Sequence, residues 1–346
     1  MGQVAGTGRT TPDRSESRRL HPLPASAISF SLGTMDTPAP TLLVLAAGMG
    51  SRYGGLKQLD PVGPGGETIL DYAVFDAIRA GFGRVVFVIR RDFADAFATQ
   101  VASKYTGRIH VGTVFQSLDA LPPGISVPAG REKPWGTGHA VWCARDAIHE
   151  PFAVIGADDF FGRDAFVQLA TFLSSATKAR IQRAAPLSPK PAAPASFAMV
   201  GYRLANTLSE NGAVARGVCT ADAQGRLRTV DENTGIRRED VGPGHKFTGE
   251  EIVSMNCWAF TPEFFPALDR QWREFISTRG NELKSEFYLP EAVSRQISAG
   301  TATVQVHPTT AEWFGVTFRE DKPRVQAALA ALAARGDYPV PLFPEQ

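Results

Sequence analysis

Arg52 and Lys57 stand five positions apart in a glycine-containing stretch that follows an apolar run directly, LLVLAAGMGSRYGGLKQ over 42–58. A buried strand that gives way to a flexible loop carrying two fixed positive charges suits the polyphosphate of a nucleoside triphosphate. Two common phosphate loops do not fit. A dinucleotide fingerprint needs G-x-G-x-x-G and an acid at the end of the second strand. Gly48 and Gly50 match, but Tyr53 holds the third position, and the second strand ends in Arg90 and Arg91. A Walker A loop needs Gly-Lys-Ser/Thr, whereas Lys57 lies between Leu56 and Gln58. A plain structural turn accounts for the glycines and leaves the pair of cations unexplained.

A second cluster is GADDFFG at 156–162, where Asp158 and Asp159 close an apolar strand. Two adjacent carboxylates in a polyphosphate cleft would repel the ligand. A bound Mg²⁺ reverses the local sign and bridges phosphates. The alternative is that these acids cap a helix beginning near Gly162.

The elements that must position these groups alternate. Residues 42–46 read as a strand, and Leu70, Val74 and Ile78 fall on one face of a helix over 68–80. RVVFVIR (84–90) is a second strand, after which Asp92 is placed to cap a helix carrying Phe93, Phe97 and Val101. IHVGTVFQ, a helix in GHAVWCARDAI, and FAVIGADD follow. The order implies a doubly wound, mostly parallel sheet whose ligands lie at the carboxyl ends of its strands. The second half adds strands at FAMVGYRL, SMNCWAF, ATVQVHP and WFGVT, and a hairpin turning at Gln224-Gly225. It also adds helices near 262–276 and 288–298, and a last helix after Asp321 with Pro323 in its first turn. PLSPKPAAPAS (186–196) reads as a surface loop.

Composition narrows the partners. The 346 residues are 43% hydrophobic and 21% charged with a formal net charge of +1, so an anionic ligand must be held by a few placed cations. Neither nucleic acid nor a membrane surface is expected, since such binders show a basic excess. Cys143, Cys219 and Cys257 are scattered and suit reduced, core-filling thiols in a cytoplasm. Residues 1–40, with Arg9, Arg14, Arg18 and Arg19, read as a disordered tail or a start-site artefact, since Met35 lies just before the first strand.

The run Leu45-Ala46-Ala47-Gly48-Met49-Gly50-Ser51-Arg52, then Lys57 and LDPVG, resembles the signature of the sugar-1-phosphate nucleotidylyltransferases, and the likeness extends over roughly 42–330. The resemblance implies one Rossmann-like α/β domain at 41–335, flanked by tails at 1–40 and 336–346. Within it, a nucleotide-binding half (41–178) precedes an inserted acceptor-binding β/α half (179–320) and a C-terminal helix (321–335). It also implies Mg²⁺-assisted transfer of a nucleoside monophosphate from a triphosphate to a sugar 1-phosphate, releasing pyrophosphate. Ala46, Ala47, Gly48, Gly50 and Ser51 would approach phosphate through their backbone. Arg52 would grip the leaving phosphates and Lys57 the α-phosphate, with Asp158 as metal ligand and Asp159 in support. Gln116, Gly136, Thr137 and Gly138 would meet the base. Gly201, Glu232, Asn256 and Glu286 would meet the acceptor.

The chain departs from the family pattern twice. Gly315 stands where a second metal-binding acid is expected, leaving Asp321 as a substitute ligand or a helix cap. Asn233 replaces a lysine that meets the acceptor phosphate, leaving Arg216, Arg237 or Lys284 to serve. For His139 a packing or hydrogen-bonding role is expected. Two other functions stay open: cytidylyl transfer to phosphocholine or another alcohol phosphate, and a catalytically silent nucleotide-sugar-binding regulator.

Overall fold

Apolar strands separated by amphipathic helices produce the expected alternation. The computed structural model describes residues 38–48, 60–184, 193–315 and 319–344. The expectations for Gly50, Ser51, Arg52 and Lys57, for residues 1–37, and for most of the Pro- and Ala-rich stretch lie outside them. In chain order the strands are β1 (Thr41–Leu45), β2 (Arg84–Ile89), β3 (His110–Phe115), β4 (Phe152–Gly156), β5 (Asp159–Phe160) and β6 (Ala195–Arg203). They continue with β7 (Val214–Ala221), β8 (Leu227–Ile236), β9 (Ile252–Phe260), β10 (Ala302–Thr309) and β11 (Phe314–Gly315). The helices are α1 (Ile69–Arg79), α2 (Ala94–Gln100), α3 (Thr137–Cys143), α4 (Arg163–Ala184), α5 (Phe264–Arg279), α6 (Leu289–Ser298) and α7 (Lys322–Ala334).

The main sheet runs β10-β6-β9-β4-β1-β2-β3, with β7 and β8 attached beside β9. β4, β1, β2 and β3 are mutually parallel, as are β6 and β10, while β9 runs antiparallel between β4 and β6. Alternation along the strands divides the core between the two sheet faces. Leu42, Val44, Val85 and Phe87 pack on one side, and Leu43, Val86 and Val88 on the other. Burial on both faces explains why these strands read as continuous apolar runs.

Local signals set several boundaries. Thr68 and Asp71 form a capping box at α1, and buried Asp71 also accepts from Tyr105 Oη at 2.7 Å. Gly225 takes a left-handed φ of 72° at the β7–β8 hairpin, where Asp222 Oδ1 accepts from the Gln224 and Arg226 amides. Asp92 does not cap a helix: Arg91–Phe93 form a 3-10 turn, and Asp92 instead accepts from Arg90 Nε at 3.0 Å.

The segment expected as a C-terminal tail is packed over its described part. Tyr338 and Leu342 are 4% and 2% exposed and join Val62, Tyr72, Phe160, Phe314 and Leu329 in a third core. Tyr338 Oη donates at 2.7 Å to Asp76, which is itself only 1% exposed and also receives Arg79. Among the described residues no helix is long and apolar enough to cross a membrane.

Removing the phenol leaves a buried carboxylate short of a donor. Tyr338→Phe is expected to cost about 1–3 kcal/mol in urea unfolding at neutral pH. An unchanged midpoint would contradict this account of the third core.

Candidate active site at the carboxyl edge

The parallel strands deliver their ends to one edge. The Ala46 amide donates to Val88 O at 2.8 Å, that of Gln116 to Ile89 O at 2.9 Å, and that of Ala157 to Leu45 O at 3.2 Å. Ala46–Gly48, Gln116 and Asp158 therefore leave the sheet on the same side. Because β9 is antiparallel, its first half lies at this edge too. The β4–β9 register pairs Phe152 with Phe260 and Val154 with Trp258, and Asn256 lies two residues beyond that last pair. There Asn256 turns left-handed, with φ 55°, beside a register shift between β6 and β9. Its Oδ1 is buried without a hydrogen-bond partner in the structure. Backbone strain and an unpaired polar atom concentrate at functional positions.

The two acids converge over Gly156. A Cβ on that glycine would stand 3.0 Å from Asp159 Oδ2 and 3.5 Å from Asp158 Oδ1. β5 pairs with β11 so that Gly315 lies opposite Asp159, and a Cβ on Gly315 would come within 2.7 Å of Asp159 Oδ1. Glycine at both positions gives Asp159 its seat. The convergent oxygens form a hard donor pair of the kind that Mg²⁺ takes, with phosphates and water completing the shell. Among the described residues no three His, Cys, Asp or Glu side chains group as a metal site.

Behind the acids lies Arg216, 8% exposed. It donates from Nε to Thr207 Oγ1 at 3.1 Å and from Nη1 to Ala215 O at 2.8 Å, with its guanidinium 5.0 Å from the Trp313 ring. Burial pushes it down to about 10, and the charges of Asp159 and Glu232 oppose that. It stays cationic at neutral pH, and Asp159 and Glu232 are within its electrostatic reach. Of the other cations named from sequence, Arg237 is exposed and 3.7 Å from Glu239, and Lys284 is exposed.

A different lysine reaches Asn233. Lys246 Nζ donates to Asn233 Oδ1 at 2.8 Å, and Asn233 pairs with Arg216 across β7 and β8. Sequence reasoning missed it because thirteen residues and a loop separate Lys246 from Asn233. Glu286 receives Lys133 Nζ at 2.9 Å and the Tyr288 hydroxyl. Gly201 lacks a side chain because one there would collide with Ile252. Asp321, proposed as ligand or cap, makes no capping bond; its Oδ1 accepts from Ser209 Oγ at 2.9 Å and Asn211 Nδ2 at 2.8 Å.

On the other flank, Gln116 Nε2 donates to Gly136 O at 2.9 Å and lies 3.2 Å from His139 Nδ1. His139 is fully buried, and its Nε2 lies 2.8 Å from Ala120 O. A carbonyl cannot donate, so the proton sits on Nε2 and Nδ1 accepts from Gln116. Both amide hydrogens are thereby used, and Gln116 presents Oε1 as its remaining polar group. Gly136 (φ 96°) and Gly138 are close-approach positions, since a Cβ on either would meet Phe287 at 2.6 and 2.7 Å. Thr137 Oγ1 accepts the Leu289 amide at 3.0 Å. Arg131 adds to the same seam through bonds of 2.7 Å to Glu282 O and 2.6 Å to Ser285 O. Gln116 also lines a cavity of about 300 Å³ with Arg90, Arg91, Leu118 and Trp135.

Residues 42–157 match the family model of the MobA-like NTP transferase domain. The chain thus carries an NTP transferase domain, the domain of a nucleotidyltransferase enzyme. The fold is that of solved sugar-phosphate nucleotidyltransferases. A UDP-glucose pyrophosphorylase complexed with UDP-glucose superposes with a TM-score of 0.52 at 18% identity, covering 85% of this chain and 99% of that one. The inositol-1-phosphate CTP transferase from T. maritima gives 0.54 at 13% identity, covering 85% and 96%. A putative glucose-1-phosphate thymidylyltransferase from Bacillus anthracis gives 0.53 at 12%, covering 84% and 95%. No curated protein sequence matches the chain significantly.

Two outcomes follow from the site. Burial holds His139 down to about 4, from an ordinary 6.5. Its contribution is complete above the unfolded value and is lost as pH falls toward the folded one. Unfolding free energy should therefore drop by about 3 kcal/mol between pH 6.5 and 4 on this account. His139→Leu should flatten that slope in urea titrations, and an unaltered slope would contradict it. Gly315→Ala should displace the Asp159 carboxylate while leaving the melting temperature within a few degrees. Turnover should fall about tenfold or more, and wild-type turnover would show that the seat is unimportant.

Proposed function

We propose that the chain transfers a nucleoside monophosphate from a nucleoside triphosphate to a sugar 1-phosphate in a cytoplasm, with Mg²⁺ held by Asp158 and Asp159. The observation that carries this is the convergence of both carboxylates at the edge where β1, β3 and β9 also deliver Gly48, Gln116 and Asn256. An acceptor phosphate oxygen attacks the α-phosphorus, and the bond to the β-phosphate oxygen breaks as pyrophosphate leaves. Bound Mg²⁺ supplies charge neutralisation of the phosphates.

The chain's own groups do the rest by placement and charge. Arg52 takes the leaving phosphates and Lys57 the α-phosphate. Gln116 offers Oε1 to a base N–H. Asn256 offers its unpaired Oδ1 to a sugar hydroxyl, and Gly201 and Glu286 complete the acceptor side. Arg216 places a buried positive charge within electrostatic reach of Asp159 and Glu232. Lys246, held by Asn233, supplies the cation for the acceptor phosphate.

The likeness to the inositol-1-phosphate CTP transferase favours one second reading, transfer to another alcohol phosphate. The reacting group is then the same phosphate monoester. A silent sensor is disfavoured, since Gly315 has a role in seating Asp159 and Lys246 lies beside Asn233.

Pyrophosphate release from triphosphate and sugar 1-phosphate pairs tests the proposal. Lys57→Ala or Asp158→Asn should lower kcat about 10²-fold or more, and Lys246→Ala should raise the acceptor KM about tenfold with little change in kcat. Near-normal kinetics in both Lys57→Ala and Asp158→Asn would overturn the mechanism.

A further inference from the structure

A cavity of about 470 Å³ opens at the opposite end of the sheet. It is bounded by α4, α5, the start of β6 and the turn after β9, with Ser196 and Thr261 on its wall. Since β6 runs parallel to β4 and β9 runs against both, these residues lie at the amino edge, away from Asp158. Its size is that of a small-molecule site.

The lining is asymmetric in its chemistry. Phe172, Ala176 and Pro266 give an apolar wall, and the charged groups are Arg180, Arg270 and Glu263. Arg180 is committed to Glu263 at 2.8 Å. Arg270 makes no ion pair among the described residues. Gln296, also on the lining and only 3% exposed, has its Nε2 buried without a hydrogen-bond partner in the structure. The cavity therefore has at its mouth a cation outside any ion pair among the described residues and, in its wall, a buried amide N–H without a partner, beside apolar surface.

We infer that this cavity is a second ligand site, for a small organic anion with an apolar portion, such as a carboxylate or phosphate monoester. The anion pairs with Arg270 and accepts from Gln296, and the apolar part lies against Phe172 and Pro266. The inference is independent of the transfer reaction, because no residue of the carboxyl edge takes part.

Titration calorimetry of the full chain with phenyl phosphate and benzoate tests it, with inorganic phosphate as the headgroup alone. The aromatic probes should bind more tightly than inorganic phosphate. Arg270→Ala should weaken phenyl phosphate about tenfold or more, equivalent to about 1.4 kcal/mol. Gln296→Met should weaken it as well, and exposed Arg270 keeps the test decisive if the buried variant misfolds. Lys57→Ala should leave phenyl phosphate binding unchanged, and Arg270→Ala should leave triphosphate binding unchanged. The site is overturned if neither aromatic probe binds, or if binding depends on Lys57 and not on Arg270.

Discussion

Everything at the carboxyl edge depends on where the carboxylate of Asp159 is allowed to be. It lies between two positions, Gly156 and Gly315, at which any side chain would press on one of its oxygens. Confinement of this kind brings it together with Asp158, and two like charges held close repel unless opposite charge is near. Arg216 supplies part of that charge from behind, at the expense of burying a guanidinium. The burial is tolerable because Thr207 and Ala215 satisfy its donors and Trp313 faces its plane. The β7–β8 hairpin, Trp313 and the short strand β11 that follows it are thus as much part of the acid site as β4 itself.

The antiparallel strand β9 lets the second half of the chain reach the same sheet edge as the first. A parallel strand at that place would have sent its beginning to the far edge. Running backward, β9 carries Asn256 past its last pair with β4, Val154–Trp258, where this left-handed residue leaves an amide oxygen unpaired. The second half of the chain therefore extends the same edge and does not form a separate body. The cost is a strained non-glycine residue, of the sort that folds tolerate where binding returns the energy.

Much of the frame was legible because it obeys period and chemistry. Apolar runs, the Gln224-Gly225 turn and the helix after Asp321 follow from rules that act within a few residues. The position of the paired acids was legible for a similar reason, since they follow directly on the apolar run of β4. What could not be read depended on distant parts meeting. Lys246 reaches Asn233 only after a loop folds back, and Asp321 binds Ser209 and Asn211 more than 100 positions away. The segment after Arg335 is short and proline-bearing and reads as a tail, yet Tyr338 and Leu342 fill a core begun near Val62. Asp92 failed as a cap because a neighbouring arginine competed for its carboxylate.

Gly315 shows how a motif departure can mislead. Read along the sequence, it is a missing acid and an argument against catalysis. In three dimensions it is the position facing Asp159, and an acid there would compete with Asp159 for the same space. Asp159, the residue after Asp158, already holds the space that a side chain from the other strand would enter. Asn233, read along the sequence as a missing lysine, accepts from Lys246. At both positions the neighbour in space carries the charge that the residue itself lacks, so a departure from pattern at one residue calls for a search of its spatial neighbours before function is denied.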